Sequence, residues 1–270
     1  MKKPKALVLA GEGINCEYDC RHALEITNFD PQIVHVADFI ERPAMLSDFK
    51  LVVLPGGFSF GDEIASGRVL ALKMKEKLGD HLKRFIDNDC LLMAVCNGFQ
   101  VAVQLGLLPE SDRKEDRRAS LVHNNIGKFI NRWVKMTVDS KVKCLFLEGL
   151  STIELPIRHG EGQLVIRPEQ SDYVKGFACL RYDEDVNGSF DRIAGLTNSS
   201  GTVFGLMPHP EAYVVKTQHP AWTSEASLTP GKAFAERVRT LTLTPSAVKQ
   251  STPSVPYGLS IFQNARKALG

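Results

Sequence analysis

The chain has 270 residues, 43% of them hydrophobic and 24% charged, with a formal net charge of +2 at pH 7. That apolar content supports a sizeable core, in one large domain or two small ones, and excludes a globally disordered chain. Near-balanced charge argues against a dedicated nucleic-acid binder, and no run of about eighteen apolar residues offers a membrane helix.

The N-terminus, "MKKPKALVLAGEG", is basic and then apolar, but the apolar stretch is too short for a secretory core. Residues 5–10 read instead as a first strand. "CEYDCRHALEI" has helical spacing at Cys20, Ala23 and Leu24. "QIVHVAD" is β-branched, and "FKLVVLPGG" is a buried strand stopped by Pro-Gly-Gly. "GRVLALKMKEKLGDHLKRFIDND" predicts a long amphipathic helix, broken near Gly79. "CLLMAVC" is another apolar strand and "NGFQVAVQLGLL" another helix. Apolar strands with intervening helices predict an α/β fold whose mostly parallel sheet is flanked by helices on both faces. From about residue 130 the pattern shifts to short strands between turns: "RWVKMTVDS", "KCLFLEG", "STIELPIRHG", "GQLVIRP", "RIAGLTN" and "TVFGLMPHPE", with "DEDVNGSFD" as a turn. This adds an antiparallel or mixed β portion in the C-terminal half. No clean linker is visible, so the expectation is a single domain over 1–270. Residues 213–256 read as a surface insertion, or else as a docking element or lid, with a helical stretch at "KAFAERVRTL", before a closing helix at "LSIFQNARKAL".

Cysteines stand at 16, 20, 90, 96, 144 and 179; Cys16 and Cys20 are separated by three residues, but no Cys/His pair elsewhere completes a zinc-ligand spacing. Without an export signal they are expected as free thiols in the cytoplasm. Cys96 ends an apolar strand and meets Asn-Gly, so it is either a small hydrophobe closing the strand or a nucleophile on a sharp elbow. An elbow crowds the positions two before and two after, and here they are Ala94 and Gly98. The following helix aims its positive end at the sulfur. A cysteine nucleophile needs a base, and the base an orienter. His209 lies between Pro208 and Pro210, which hold the loop extended, and Glu211 two residues on shares its face. The alternative is an exposed His-Pro loop. His219-Pro220 is a decoy with no strand before it and no acid at i+2. "LPGGFSFGD" leaves backbone N–H groups near a strand end, and Gly57 and Asn97 are the natural oxyanion donors; a plain turn is the alternative. Cys16 reads as a packing residue.

Taken together, "LPGGFSFGD", "AVCNGFQ", "HGEG" and "GLMPHPE" resemble the triad-type glutamine amidotransferase family. "GINCEYD", "VNGSFDRIAGLTN" and "GLSIFQNARKAL" are similar to the branch formed by glutaminase subunits of phosphoribosylformylglycinamidine synthases. The resemblance runs from about 5 to 212 and resumes at 257. It implies a flavodoxin-like core that hydrolyses L-glutamine through a Cys96 thioester, with His209 as base and acid, Glu211 as its orienter, and Gly57 and Asn97 as the oxyanion hole. Gly56, Phe58 and Gln100 would contact substrate. The ammonia would pass to a separate synthetase subunit, with a small third subunit as a further partner, and the pathway would be purine synthesis. No cofactor or metal is implied in this chain; ATP and Mg²⁺ would belong to the synthetase, which agrees with the lack of a G-x-x-x-x-G-K-[ST] loop. Neither nucleic acid nor membrane is an implied partner. "HGEG", 159–162, would line the ammonia exit or the partner surface, or form a structural turn. Two departures stand out: Ala212 replaces the arginine that commonly follows Pro-His-Pro-Glu, and 213–256 exceeds the usual connection. An amidotransferase of another pathway, a cysteine hydrolase on the same fold and a non-catalytic scaffold remain alternatives.

Overall fold

The computed structural model describes residues 2–62, 65–110, 118–223 and 255–270. Strand β1 (Lys5–Ala10) is followed by helix α1 (Glu17–Ile26), β2 (Asp30–His35), α2 (Val36–Glu41) and β3 (Leu51–Leu54). Then come α3 (Arg68–Asp87), β4 (Leu91–Val95) and α4 (Asn97–Gln104). Strands β2, β1, β3, β4 and β11 (Val203–Leu206) lie side by side in that order and run parallel. This is the doubly wound order 2-1-3-4-5, whose ligand crevice opens at the carboxyl ends of the strands, next to the switch between β1 and β3. All of β3 and β4 is buried, as is all of β1 beyond Lys5, which accounts for their unbroken apolar sequences.

Beyond β11 the sheet continues through β10 (Ile193–Thr197), β9 (Leu180–Tyr182), β6 (Ile130–Val138) and β7 (Thr152–His159), all antiparallel to their neighbours, making nine strands among the described residues. A separate ribbon pairs β5 (Ala119–Val122) with β8 (Gln163–Ile166). Helix α5 (Ser171–Lys175) is short, and α6 (Tyr257–Ala268) buries Ile261, Phe262 and Ala265. The mixed sheet flanked by helices is the fold class the sequence predicts.

Three local expectations are corrected. Helix α3 runs unbroken through Gly79, because Leu70, Met74, Leu78, Leu82 and Phe85 bury one continuous face. A single interior glycine costs only about 1 kcal/mol, less than that burial returns. "KCLFLEG" is not a strand: Leu145–Leu147 is a 3-10 turn whose Phe146 and Leu147 enter the core. The end of "QIVHVAD" is helical, since His35 accepts the Ala37 N–H and caps α2. The helical stretch expected near 232–241 lies outside the described residues. All six thiols are unpaired, and no helix among the described residues is long and apolar enough to cross a membrane.

Candidate active site

Cys96 sits between β4 and α4 with φ 50° and ψ −106°, a conformation an L-residue adopts only under constraint. The constraint is visible on both sides. The Cys96 N–H donates to the Leu206 carbonyl (2.8 Å), and its own carbonyl accepts the Gln100 N–H (3.1 Å). Gly98 lies so close to the end of β3 that a Cβ there would stand 1.9 Å from the Leu54 carbonyl oxygen. Gly205, on the adjacent strand, leaves room for Phe99 in the same way. Cys96 is 6% exposed, and its Sγ lies 3.7 Å from the Arg158 carbonyl of β7.

His209 follows β11, anchored by its N–H on the Pro156 carbonyl (2.9 Å). Its Nδ1 bonds the Glu211 carboxylate at 2.6 Å, with both side chains almost wholly buried. The route differs from the extended loop the prolines predict. Pro210–Ala212 is a 3-10 turn, and that turn folds the carboxylate back onto the ring. Ala212 contributes only its backbone there, donating to the His209 carbonyl (3.3 Å). Burial pulls the pKa of His209 down, but the Glu211 carboxylate, aided by Cys96 and Cys16, outweighs it and raises the pKa well above the ordinary histidine value. Nδ1–H is therefore the donor to Glu211, and Nε2, buried and unpartnered among the described residues, is the atom left for proton transfer.

The loop after β3 packs on the loop after β1. Asn15 and Cys16 both donate to the Gly56 carbonyl (3.2 Å each), and Phe58 donates to the Gly13 carbonyl (2.9 Å). The 56–57 peptide is thereby fixed with its N–H turned away from the 11–16 loop and without an acceptor among the described residues. Asn97 N–H, at the first position of α4, also has no intrahelical acceptor. Gly56 has a second duty: a Cβ there would meet His209 Cε1 at 2.8 Å and Cys16 Sγ at 3.3 Å. Phe58 is 48% exposed at the rim, its ring 6.5 Å from that of Phe129.

Gln100 is buried. Its carbonyl accepts from Asn97 Nδ2 (2.9 Å), and its amide donates to the Glu161 carbonyl. Asn97 Oδ1 in turn accepts the Ser59 N–H (3.2 Å), and Glu161 Oε2 the Ser66 N–H (3.1 Å). The 159–162 segment is thus a turn bonded to the elbow helix. Asn124 holds it from below: Nδ2 donates to the Lys128 and His159 carbonyls, while Oδ1 faces the Gly162 N–H and His159 Nδ1. The acceptors of Nδ2 fix the amide orientation, so His159 donates through Nδ1. Burial, and then the nearby His209, lower the His159 pKa to about 4, so this ring is neutral at physiological pH. Ser59, Asn124 and Glu161 were not legible as supports, because their partners lie tens of residues away along the chain.

His219 is packed against Trp133 (4.6 Å between rings) with Nε2 3.6 Å from Glu154, and serves the core. Cys16, half-buried, lies beside His209 and Glu211, and the three form the one group among the described residues whose side chains could converge on a metal ion. The imidazole and carboxylate of that group are bonded directly to each other.

Residues 3–267 match the family described as the CobB/CobQ-like glutamine amidotransferase domain. The chain is 35% identical over 234 residues to the phosphoribosylformylglycinamidine synthase subunit PurQ of Dehalococcoides mccartyi, covering 83% of this chain and 91% of that one. It is 41% identical over 215 residues to the PurQ subunit of Thermotoga maritima, covering 78% and 89%. A solved chain in the structure of PurLQS from Thermotoga maritima superposes with a TM-score of 0.67 at 36% identity, covering 89% of this chain and all of that one. With a cysteine elbow, a buried His-Glu pair and a match over nearly its whole length, this chain belongs to the CobB/CobQ-like glutamine amidotransferase family.

Proposed function

We propose that this chain is the glutaminase subunit of a phosphoribosylformylglycinamidine synthase, hydrolysing L-glutamine to glutamate and ammonia for use by a partner synthetase in purine synthesis. The observation that carries this reading is the 2.6 Å bond between buried His209 and Glu211, set beside a cysteine on a constrained elbow. Cys96 attacks the side-chain amide carbon of glutamine. The oxyanion is met by the Gly57 and Asn97 N–H groups, both without competing acceptors. His209, held protonated by Glu211, gives its Nε2 proton to the departing ammonia. It then takes a proton from the water that attacks the thioester, and glutamate leaves. Gly56 makes room for the imidazole, Phe58 forms the rim of the substrate mouth, and Gln100 holds the elbow helix against the 159–162 turn. The ATP-dependent step falls to the synthetase.

The test is reconstitution with that synthetase, measuring product from glutamine and from ammonium salt. Glutamine-dependent synthesis that disappears in Cys96→Ala, while ammonia-dependent synthesis persists, is the expected result. Equal loss of both activities would refute the division of labour. Esterase or peptidase activity without ammonia release would place the chain among cysteine hydrolases instead.

A further inference from the structure

Cys16 stands at the N-cap of α1, where its side chain makes no capping hydrogen bond. Its sulfur lies instead beside the His209–Glu211 pair: Sγ, a ring nitrogen and a carboxylate oxygen all fall within 4.8 Å of one another. The ring edge that carries Nδ1 is the one it approaches. A Cβ on Gly56 would meet Cys16 Sγ at 3.3 Å, His209 Cε1 at 2.8 Å and His209 Nδ1 at 3.4 Å, so the sulfur and that edge border the same gap. The backbone fixes the sulfur there. Cys16 N–H donates to the Gly56 carbonyl (3.2 Å), and its own carbonyl accepts the Cys20 N–H (3.1 Å).

The thiol hydrogen is committed as well. Sγ–H donates to Asn15 Oδ1 at 3.3 Å, which leaves the sulfur lone pairs for the ring. Burial raises the Cys16 pKa, so the group stays a neutral thiol. A neutral thiol is a poor nucleophile, and this sulfur has a different use. His209 has one strong tether, the Nδ1 bond to Glu211, while Nε2 is unpartnered among the described residues. A single bond at Nδ1 leaves the ring free to swing, and Nε2, on the far side, moves most. Sulfur against an aromatic edge is a favourable contact, and here it removes that freedom.

We propose that Cys16 is a positioning residue for His209: its sulfur, seated against the Cε1–Nδ1 edge, holds the ring in line with Glu211 and so fixes where Nε2 delivers its proton. The kinetic part of this proposal rests on the glutaminase reading; the structural part does not.

Cys16→Ala and Cys16→Ser test it, since both remove the sulfur and only serine restores a lone pair. Packing alone predicts serine to be no better than alanine. The first measurement is nuclear magnetic resonance on the full chain with ¹⁵N-labelled histidine. The short bond to Glu211 should give His209 a low-field Nδ1–H signal, broadened or lost in Cys16→Ala and kept in Cys16→Ser. The second is glutamine hydrolysis by the complex with the synthetase. In Cys16→Ala kcat should fall roughly 10- to 100-fold, and in Cys16→Ser less than about threefold, with KM unchanged in both. Should Cys16→Ala not fold, Cys16→Val, which fills the space without a lone pair, takes its place. Equal kcat losses in the alanine and serine variants would overturn the proposal in favour of packing. A raised KM at unchanged kcat would overturn it in favour of a substrate contact, and so would an unaltered Nδ1–H signal in Cys16→Ala. If the parent complex releases no ammonia from glutamine, the glutaminase reading fails, and the Nδ1–H signal still decides whether Cys16 holds the ring.

Discussion

At Cys96 the backbone is held where an L-side chain costs roughly 1–3 kcal/mol. The strain belongs to the position of the proposed nucleophile and not to the sulfur. Cys96→Gly should therefore be more stable than Cys96→Ala by about 1 kcal/mol or more, with both expected to be inactive; denaturant midpoints of the two variants check this. Glu211→Gln keeps the geometry but removes the charge that holds the His209 proton. Turnover should fall roughly 10²- to 10⁴-fold, less than in Cys96→Ala, as steady-state ammonia release would show. His159 gives a pH prediction. Its pKa is depressed from 6.5 to about 4, so between those values the unfolded chain binds a proton that the folded chain refuses. Stability contributed by the neutral ring is complete above pH 6.5 and is lost as pH falls toward 4, by about 3 kcal/mol in all. In His159→Asn, whose amide can replace the Nδ1–H donor, unfolding free energy measured from pH 7 to 4 should decline by that much less.

At the level of elements, the strand–elbow–helix unit was legible because its demands are local. Ala94, Cys96 and Gly98 are close in sequence, and the need for glycine at 98 is met by a strand end, Leu54, that was itself recognisable. Gly98→Ala should destabilise the protein by roughly 3 kcal/mol or more, since the obstacle is backbone and cannot rotate away; urea unfolding of this variant against the parent measures it. The supports of the site were less legible. The Asn97–Gln100–Glu161–Ser66 chain joins three segments whose proximity only the sheet order creates. Strands β5 and β9, four and three residues long, are too short for alternation to declare them. The His209–Glu211 contact was anticipated through a shared face of an extended segment, yet a 3-10 turn makes it, because local spacing fixed the partners without fixing the turn between them.

On the scale of the whole molecule, the parallel half carries the proposed nucleophile and oxyanion loops, while the antiparallel half closes over them through the Arg158 carbonyl and the 159–162 turn. The parallel, helix-flanked half was expected from sequence, and its flavodoxin-like character from the family resemblance; the pairing of β6 with β7 and β9 was not, since antiparallel partners are chosen by side-chain fit across the sheet. Helix α6 completes the assembly. Gly258 packs so tightly on the catalytic turn that a Cβ would stand 1.8 Å from the Pro210 carbonyl oxygen, and Leu259 donates to the Tyr213 carbonyl. Asn264 ties the same helix to the Phe146 and Glu148 carbonyls. Deleting 257–270 should abolish ammonia release even where circular dichroism shows the sheet intact. The order of synthesis gives this packing a biological meaning. A ribosome makes Cys96, His209 and Glu211 well before residue 257, so a nascent chain carries all three reactive groups with the brace of the His-Glu turn still missing. If deletion of 257–270 abolishes ammonia release as expected, such a chain would hydrolyse no glutamine until that helix had been made and docked on the turn.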